Sequence, residues 1–116
     1  MLYVFAGDIL PGKLHAYVDW VHQNESALEK AAPQGFRLRG IFLTVQGFGK
    51  HDTEIHWEVE TYGAFDNAYQ KAIQGSDYAT LLAQWNEFLV PHCSEGRLLR
   101  QVGHDSCRMP PALLAK

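Results

Sequence analysis

The sequence is poor in cysteine, with only two among 116 residues, Cys93 and Cys107. No Cys-X-X-Cys pair and no cysteine–histidine spacing of the zinc type occurs, so no zinc site is expected. The two cysteines could form a disulfide, but the first residues lack the basic start of a signal peptide and reach an acid at Asp8. We therefore expect reduced thiols and a cytoplasmic protein.

Long apolar runs and an excess of positive charge are also missing. No run approaches the ~20 residues of a membrane-spanning helix, which predicts no membrane partner. The formal net charge is −3, and the 10 basic residues are scattered, which excludes a nucleic-acid footprint. No phosphate-binding glycine loop or flavin motif occurs, so no cofactor is expected. Hydrophobic residues at 47% describe one ordinary globular domain.

What the sequence does contain is a strongly alternating stretch, Thr53–Tyr62. Ile55, Trp57 and Val59 point one way, while charged and polar residues such as His56 point the other. Alternation of this kind predicts a half-buried strand whose apolar face needs a helical layer. The polar face, which also carries Glu58 and Glu60, must meet water, a ligand or a partner subunit. We expect its charges to pair with arginines across strands or subunits.

The remaining periodicities and breakers predict the other elements. They are a strand at Leu2–Leu10, a helix from Lys13 to about Ala32, a strand at Phe36–Gln46, a hairpin loop at Gly47–Asp52, a helical region in two parts (Ala64–Gln74, then Tyr78–Leu89) and a strand at Glu95–Val102. The order βαββαβ predicts an α+β, ferredoxin-like domain over 1–103 with a tail at 104–116. Its antiparallel sheet has four strands, the first and third central, and helices on one face.

The same patterns assign faces to the side chains. The inward stripe of the first helix is predicted to contain Leu14, Tyr17, Val18, Val21, Leu28 and Ala32. In the second strand, one face is predicted to carry Ile41, Leu43 and Val45, and the opposite face Phe36, Leu38 and Phe42. The face without helices would expose an apolar patch drawn, depending on register, from Tyr3, Phe5, Phe36, Leu38 or Phe42. We therefore expect a homodimer that packs sheet to sheet.

The first helix holds the candidate catalytic residues His22, Glu25 and Asp19. Glu25 falls within the apolar sector and lies one turn from His22, so the two can touch. One hypothesis makes His22 a general acid or base that Glu25 or Asp19 orients. The alternative is that Glu25 reaches the rim or pairs with an arginine and that His22 is a solvated flank. His15 and His22 lie about 10 Å apart along the helix, too far to share one metal ion directly.

Four further residues are candidate substrate contacts, namely Trp57, Tyr3, His15 and Trp20. Trp57 faces the helical layer, where it could wall a pocket or simply fill the core. Trp20 lies away from the helical stripe, and an exposed tryptophan suggests contact with the tail, a partner subunit or a ligand.

Three stretches carry a family resemblance over roughly residues 2–102. They are Pro11-Gly12-Lys13-Leu14; Trp20-Val21-His22 followed by Pro33-Gln34-Gly35-Phe36; and His56-Trp57 followed by Tyr62, Phe65, Asp77 and Trp85. The chain resembles dimeric α/β-barrel proteins, and more narrowly their NIPSNAP-like and EthD-like members. The resemblance implies a pocket between sheet and helices. It also implies the superfamily's range of functions, which includes cofactor-free oxygenases, isomerases, cyclases and proteins that act on haem.

Three functional hypotheses follow. The first is an enzyme that acts on an apolar or aromatic small molecule, a cofactor-free oxygenase, isomerase or cyclase with His22 as acid or base. The second is a non-catalytic small-molecule-binding or interaction dimer of the NIPSNAP-like kind. The third is haem binding with His15, His22 or His92 as axial ligand.

Overall fold

A computed structural model describes residues 1–45, 51–73, 76–100 and 102, without the side chains of 69 and 71–73. Seven elements follow one another in the order β1 (Leu2–Gly7), α1 (Leu14–Lys30), β2 (Phe36–Leu43), β3 (Thr53–Val59), α2 (Tyr62–Ile73), α3 (Asp77–Glu87) and β4 (Glu95–Leu99). Most of the predicted loop at 47–52 and the predicted tail at 104–116 lie outside the described residues.

The four strands form one antiparallel sheet in the order β2-β3-β1-β4. This confirms the predicted ferredoxin-like α+β arrangement with the first and third strands central. The second helical region is two helices, α2 and α3, as its predicted division into two parts requires. In the part of the chain that the structure describes, no helix has the length and apolar character needed to cross a bilayer.

The alternation in β3 is confirmed by burial. Thr53, Ile55, Trp57 and Val59 are buried against the helices, whereas the residues between them are half-buried. The side of the sheet that faces away from the helices, called the open face below, is formed by Leu2, Val4, Ala6, Arg37, Phe42, Glu54, His56, Glu58, Glu95, Arg97 and Leu99. Val4 and Ala6 at its centre are buried, whereas Phe42 and Leu99 on its edge strands are exposed. Its charges pair partly within the chain, as between Arg39 and Glu58 at 3.6 Å.

The register between β1 and β3 overturns part of the predicted open face. Tyr3 lies opposite Trp57 and Phe5 opposite Ile55. Because directly paired residues of antiparallel strands share a face, Tyr3 and Phe5 point toward the helices. The expectation that these two rings form an exposed patch is wrong.

A β-bulge in β2 changes the predicted faces of the remaining residues of that patch. The register shifts between Leu38 and Gly40, so that Ile41 joins Leu38 on the helical side. One extra residue reverses the alternation beyond it, which sequence patterning had continued without interruption. Phe36 and Leu38 are therefore buried under the helices, and Phe42 alone of the predicted patch lies on the open face, with 48% of its surface exposed.

Helix α1 packs on the sheet through Tyr17 and Leu28, as the helical stripe predicted. Leu14 was expected inside but is 49% exposed. It is the first residue of α1, and helical side chains lean toward the N-terminus, so its side chain points past the end of the core. The predicted exposure of Trp20 is also wrong, because it is half-buried and donates from Nε1 to Oε1 of Gln84 on α3 at 3.1 Å.

A buried chain of hydrogen bonds ties four elements of the fold together. Trp85 on α3 donates from Nε1 to the hydroxyl of Tyr17 on α1 at 2.8 Å, and that hydroxyl lies 2.6 Å from Oγ1 of Thr53 on β3. Thr53 in turn donates to the carbonyl of Phe42 on β2 at 2.8 Å. Since the Thr53 proton is directed at Phe42, the Tyr17 hydroxyl must donate to Thr53. The relay therefore runs in one direction from Trp85 to the backbone of β2.

We expect Tyr17→Phe to lower the free energy of unfolding by about 1–3 kcal/mol, because the Trp85 N–H then has no acceptor in a buried site. Urea denaturation followed by tryptophan fluorescence measures the change. Tyr62→Phe is the matched control, since Tyr62 is 67% exposed and its hydroxyl lies at the surface. Equal denaturation midpoints for the two variants would contradict a stabilising relay.

Candidate functional site

A cavity of about 440 Å³ lies between the helical side of the sheet and helices α2 and α3. We call it the aromatic cavity, and it is lined by Tyr3, Phe5, Phe36, Ile55, Trp57, Phe65, Ala68, Tyr78, Ala79, Leu82, Ala83, Trp85, Asn86 and Ser94. Its size falls in the usual range for small-molecule sites, about 300–1,000 Å³. The predicted pocket between sheet and helices is therefore confirmed.

The cavity walls are rich in aromatic rings that contact one another in edge-to-face, tilted and stacked arrangements. Phe65 of α2 meets Tyr3 edge to face, with ring centroids 4.9 Å apart. Tyr78 of α3 meets Trp57 in the same way at 5.8 Å. A cavity lined by several aromatic rings suits an apolar guest that can pack against them.

Charged groups are absent from the described lining of this cavity. None of its residues is His, Asp, Glu, Lys, Arg or Cys, and its polar side-chain groups are three hydroxyls, two indole N–H groups and one amide, on Tyr3, Tyr78, Ser94, Trp57, Trp85 and Asn86. Of these, the Trp85 N–H is already engaged by Tyr17. The cavity therefore offers hydrogen bonds without charge.

Tyr78 is the most shielded phenol of the cavity, with 6% of its surface exposed. Burial raises the pKa of its hydroxyl above the ordinary 10.0, and the nearby phenol of Tyr3 raises the pKa further. Tyr78 is therefore a neutral hydroxyl at physiological pH and can donate a hydrogen bond.

The predicted site residues fall into two separate groups. Trp57 and Tyr3 line the aromatic cavity, as a substrate-contacting role requires. The candidates on α1 do not line it: His15, Asp19 and His22 are exposed, and Glu25 is half-buried. Within the described residues no hydrogen bond or ion pair joins His22 to Glu25 or Asp19.

Two other predicted groups lie apart from the cavity. Trp20 contacts Phe88 at the boundary of α1 and α3, with ring centroids 6.1 Å apart. His92 is exposed in a turn with a positive φ of 64° and does not line the cavity. Among the residues described, no cluster of three or more His, Cys, Asp or Glu side chains could hold a metal ion.

A polar cluster at one end of the sheet was not predicted. The His51 side chain is 8% exposed, with Nδ1 3.6 Å from Oδ1 of Asp8 and Nε2 3.3 Å from Oε2 of Glu95. Asp8 also accepts from the backbone N–H of Asp52, and Asp52 accepts from the backbone N–H of Ile9. This reciprocal pairing holds the end of β1 beside the start of β3.

Sequence reasoning missed most of the aromatic lining, and Phe5, Phe36, Phe65, Tyr78 and Trp85 are the missed rings. The helical stripe placed Tyr78 and Trp85 inward, which describes a core as well as a cavity wall. Phe5 and Phe36 needed the strand register, which alternation alone does not supply.

The raised pKa of Tyr78 makes stability depend on pH in a defined direction. Because folding holds the phenol neutral, the stabilisation is complete below pH 10.0, the unfolded value, and is lost as pH rises above it. We expect Tyr78→Phe to reduce the alkaline fall in the free energy of unfolding relative to the native protein. Urea denaturation below and above pH 10.0 measures this, and an equal alkaline fall in the native protein and in Tyr78→Phe would contradict it.

Comparison with known proteins gives a fold and no curated relative. The chain matches no family model and no curated protein. A NIPSNAP family protein of Agrobacterium tumefaciens superposes with a TM-score of 0.68 at 17% identity, covering 92% of this chain and 90% of that one. A NIPSNAP-like domain protein of Burkholderia xenovorans gives 0.65 at 14% identity, with 96% and 95% covered. A second Agrobacterium NIPSNAP family protein, described as of unknown function, gives 0.65 at 11% identity, with 92% of each chain covered.

These similarities extend over nearly the whole of each chain. At such identities they establish the fold and carry no activity or ligand with them. They confirm the NIPSNAP-like resemblance at the level of the fold. The chain has the ferredoxin-like fold of these NIPSNAP family proteins.

Proposed function

We propose that this protein binds a small, largely apolar and planar organic molecule in the aromatic cavity and does not transform it through the α1 histidine. The observation that supports this is an uncharged cavity of about 440 Å³ in which half of the lining residues are aromatic. Filling such a cavity removes ring faces and ligand surface from water, which stabilises the complex by roughly 25 cal/mol per Å² of apolar area.

The position of His22 favours binding over acid–base catalysis. A general acid or base must come within about 2.6–3.2 Å of the proton it transfers, or reach it through one water. His22 is exposed on α1 and is not part of the cavity lining. Among the lining residues described, the groups that could move a proton are hydroxyls, and Tyr78 holds its proton more tightly than a free phenol.

Binding is tested with prodan, a neutral naphthalene ketone whose emission shifts to the blue in apolar surroundings. We expect a saturable blue shift with the native protein and a rise in melting temperature, because a ligand that binds only the folded state stabilises it. Ala79→Trp, which adds an indole to the cavity wall, should weaken binding at least tenfold. Ala16→Trp makes the same change on the exposed side of α1 and should leave binding unchanged.

The same assay separates the binding hypothesis from the catalytic one. His22→Ala should leave prodan affinity within twofold of the native value, since His22 does not contact the cavity. Equal loss of binding in Ala79→Trp and Ala16→Trp would overturn the cavity as the site. A small molecule that the native protein converts, and that His22→Ala binds but does not convert, would restore the catalytic hypothesis.

We further propose that two copies pair through the open face. Phe42 and Leu99, on the two edge strands, are 48% and 39% exposed on this face. Phe42 also lies against His56, with ring centroids 4.6 Å apart, so a second sheet would cover both rings. Sheets that pack face to face bury such residues in pairs about a twofold axis.

Sedimentation equilibrium tests this pairing. The native protein should sediment at twice the 13.1 kDa of one chain, and Phe42→Arg should shift it toward 13.1 kDa, because a charge buried at an interface without a partner is costly. Leu14→Arg is the matched control, since Leu14 is 49% exposed on the helical side. A native monomer, or dimers in both variants, would contradict pairing through this face.

A further inference from the structure

Tyr78 occupies a fixed position in the cavity wall. It is the second residue of α3, whose first turn is capped by Ser76, which accepts from the backbone N–H of Ala79 at 3.2 Å. Its ring is 6% exposed and meets Trp57 of β3 edge to face. Helix and sheet therefore hold the phenol from both sides, which is the kind of support that a specific polar contact needs.

The Tyr78 hydroxyl has no hydrogen-bond partner among the described residues. It is nevertheless not sealed in the interior, because in the described chain the fully buried polar side-chain atoms without a partner are the two ring nitrogens of His51. The hydroxyl thus keeps accessible surface in a residue that lines the cavity. The same reasoning applies to the indole N–H of Trp57. The cavity is thus lined by two residues whose donors have no hydrogen-bond partner within the described chain.

The surroundings of these donors restrict the charge of a guest. A carboxylate would lose its hydration and gain no cationic partner from the described lining, and a cation would gain no carboxylate. A neutral acceptor such as a carbonyl oxygen avoids both penalties. It also satisfies a donor that an apolar guest would leave without a partner.

We propose that the Tyr78 hydroxyl donates a hydrogen bond to the carbonyl oxygen of a neutral, planar ligand, so that the aromatic cavity selects conjugated ketones, aldehydes or lactones over hydrocarbons and carboxylates. This selection rests on the proposed binding function and adds the chemical class of the ligand. The phenol serves as donor and the aromatic rings hold the conjugated frame.

The test uses acetylnaphthalene and ethylnaphthalene, substituted at the same ring position, as displacers of prodan. The two differ only where a carbonyl replaces a methylene. The native protein should bind the ketone about three- to tenfold more tightly, the range of one net hydrogen bond. In Tyr78→Phe the preference should fall to near unity while the affinity for ethylnaphthalene stays the same.

Two controls separate the loss of the Tyr78 hydrogen bond from the loss of any tyrosine hydroxyl and from a loss of folding. Tyr62→Phe removes an exposed hydroxyl and should keep the preference. Tyr78→Phe should fold as well as the native protein, because it removes a hydroxyl that has no partner among the described residues, and urea denaturation checks this.

A preference that persists in Tyr78→Phe, or tighter binding of naphthoate or of a naphthyl trimethylammonium than of the ketone, would overturn the inference. Equal binding of both naphthalenes by the native protein would overturn it and leave the proposed binding function intact. Failure of every probe to bind would overturn the binding function itself.

Discussion

The fold depends on one hydroxyl group, that of Tyr17, which accepts from Trp85 and donates to Thr53 at the meeting point of two helices and the sheet. Each partner is buried, and a buried polar group is tolerated only when it is hydrogen-bonded. Apolar packing alone would let α1 and α3 slide over the sheet at small cost. The relay removes that freedom because its three hydrogen bonds form together in only one arrangement.

The relay also explains where the cavity lies. It clamps Trp85, near the end of α3, to Thr53 at the start of β3, and α3 then runs along β3 to Tyr78, whose ring meets Trp57 edge to face. Both Trp85 and Tyr78 line the cavity, so it extends along α3 from the relay to the start of the helix. A hydroxyl that fixes Trp85 thus also fixes part of the wall of an uncharged site.

The features of this structure that the sequence predicts depend on neighbouring residues, whereas the features it does not predict depend on contacts between distant residues. Alternation in Thr53–Tyr62 is a property of successive residues, and it correctly placed Trp57 against the helices. The face of Phe5 depends on pairing with Ile55, fifty residues away, and the bulge before Gly40 depends on fitting two strands together. Helical spacing places Tyr78 inward, but the difference between a filled core and a cavity lies in how rings from five elements pack. His22 stood out for its chemistry, and spacing alone could not show its distance from that cavity.

The central position of β1 has a consequence for how the chain acquires its structure. β1 precedes the other described strands in the chain, yet its partners are β3 and β4, which span Thr53–Val59 and Glu95–Leu99. Pairings this distant in sequence require large loops to close first, which slows folding. During synthesis, one edge of β1 stays unpaired until β3 has been made and the other until β4 has been made, so a nascent chain presents an aggregation-prone strand that the finished protein buries.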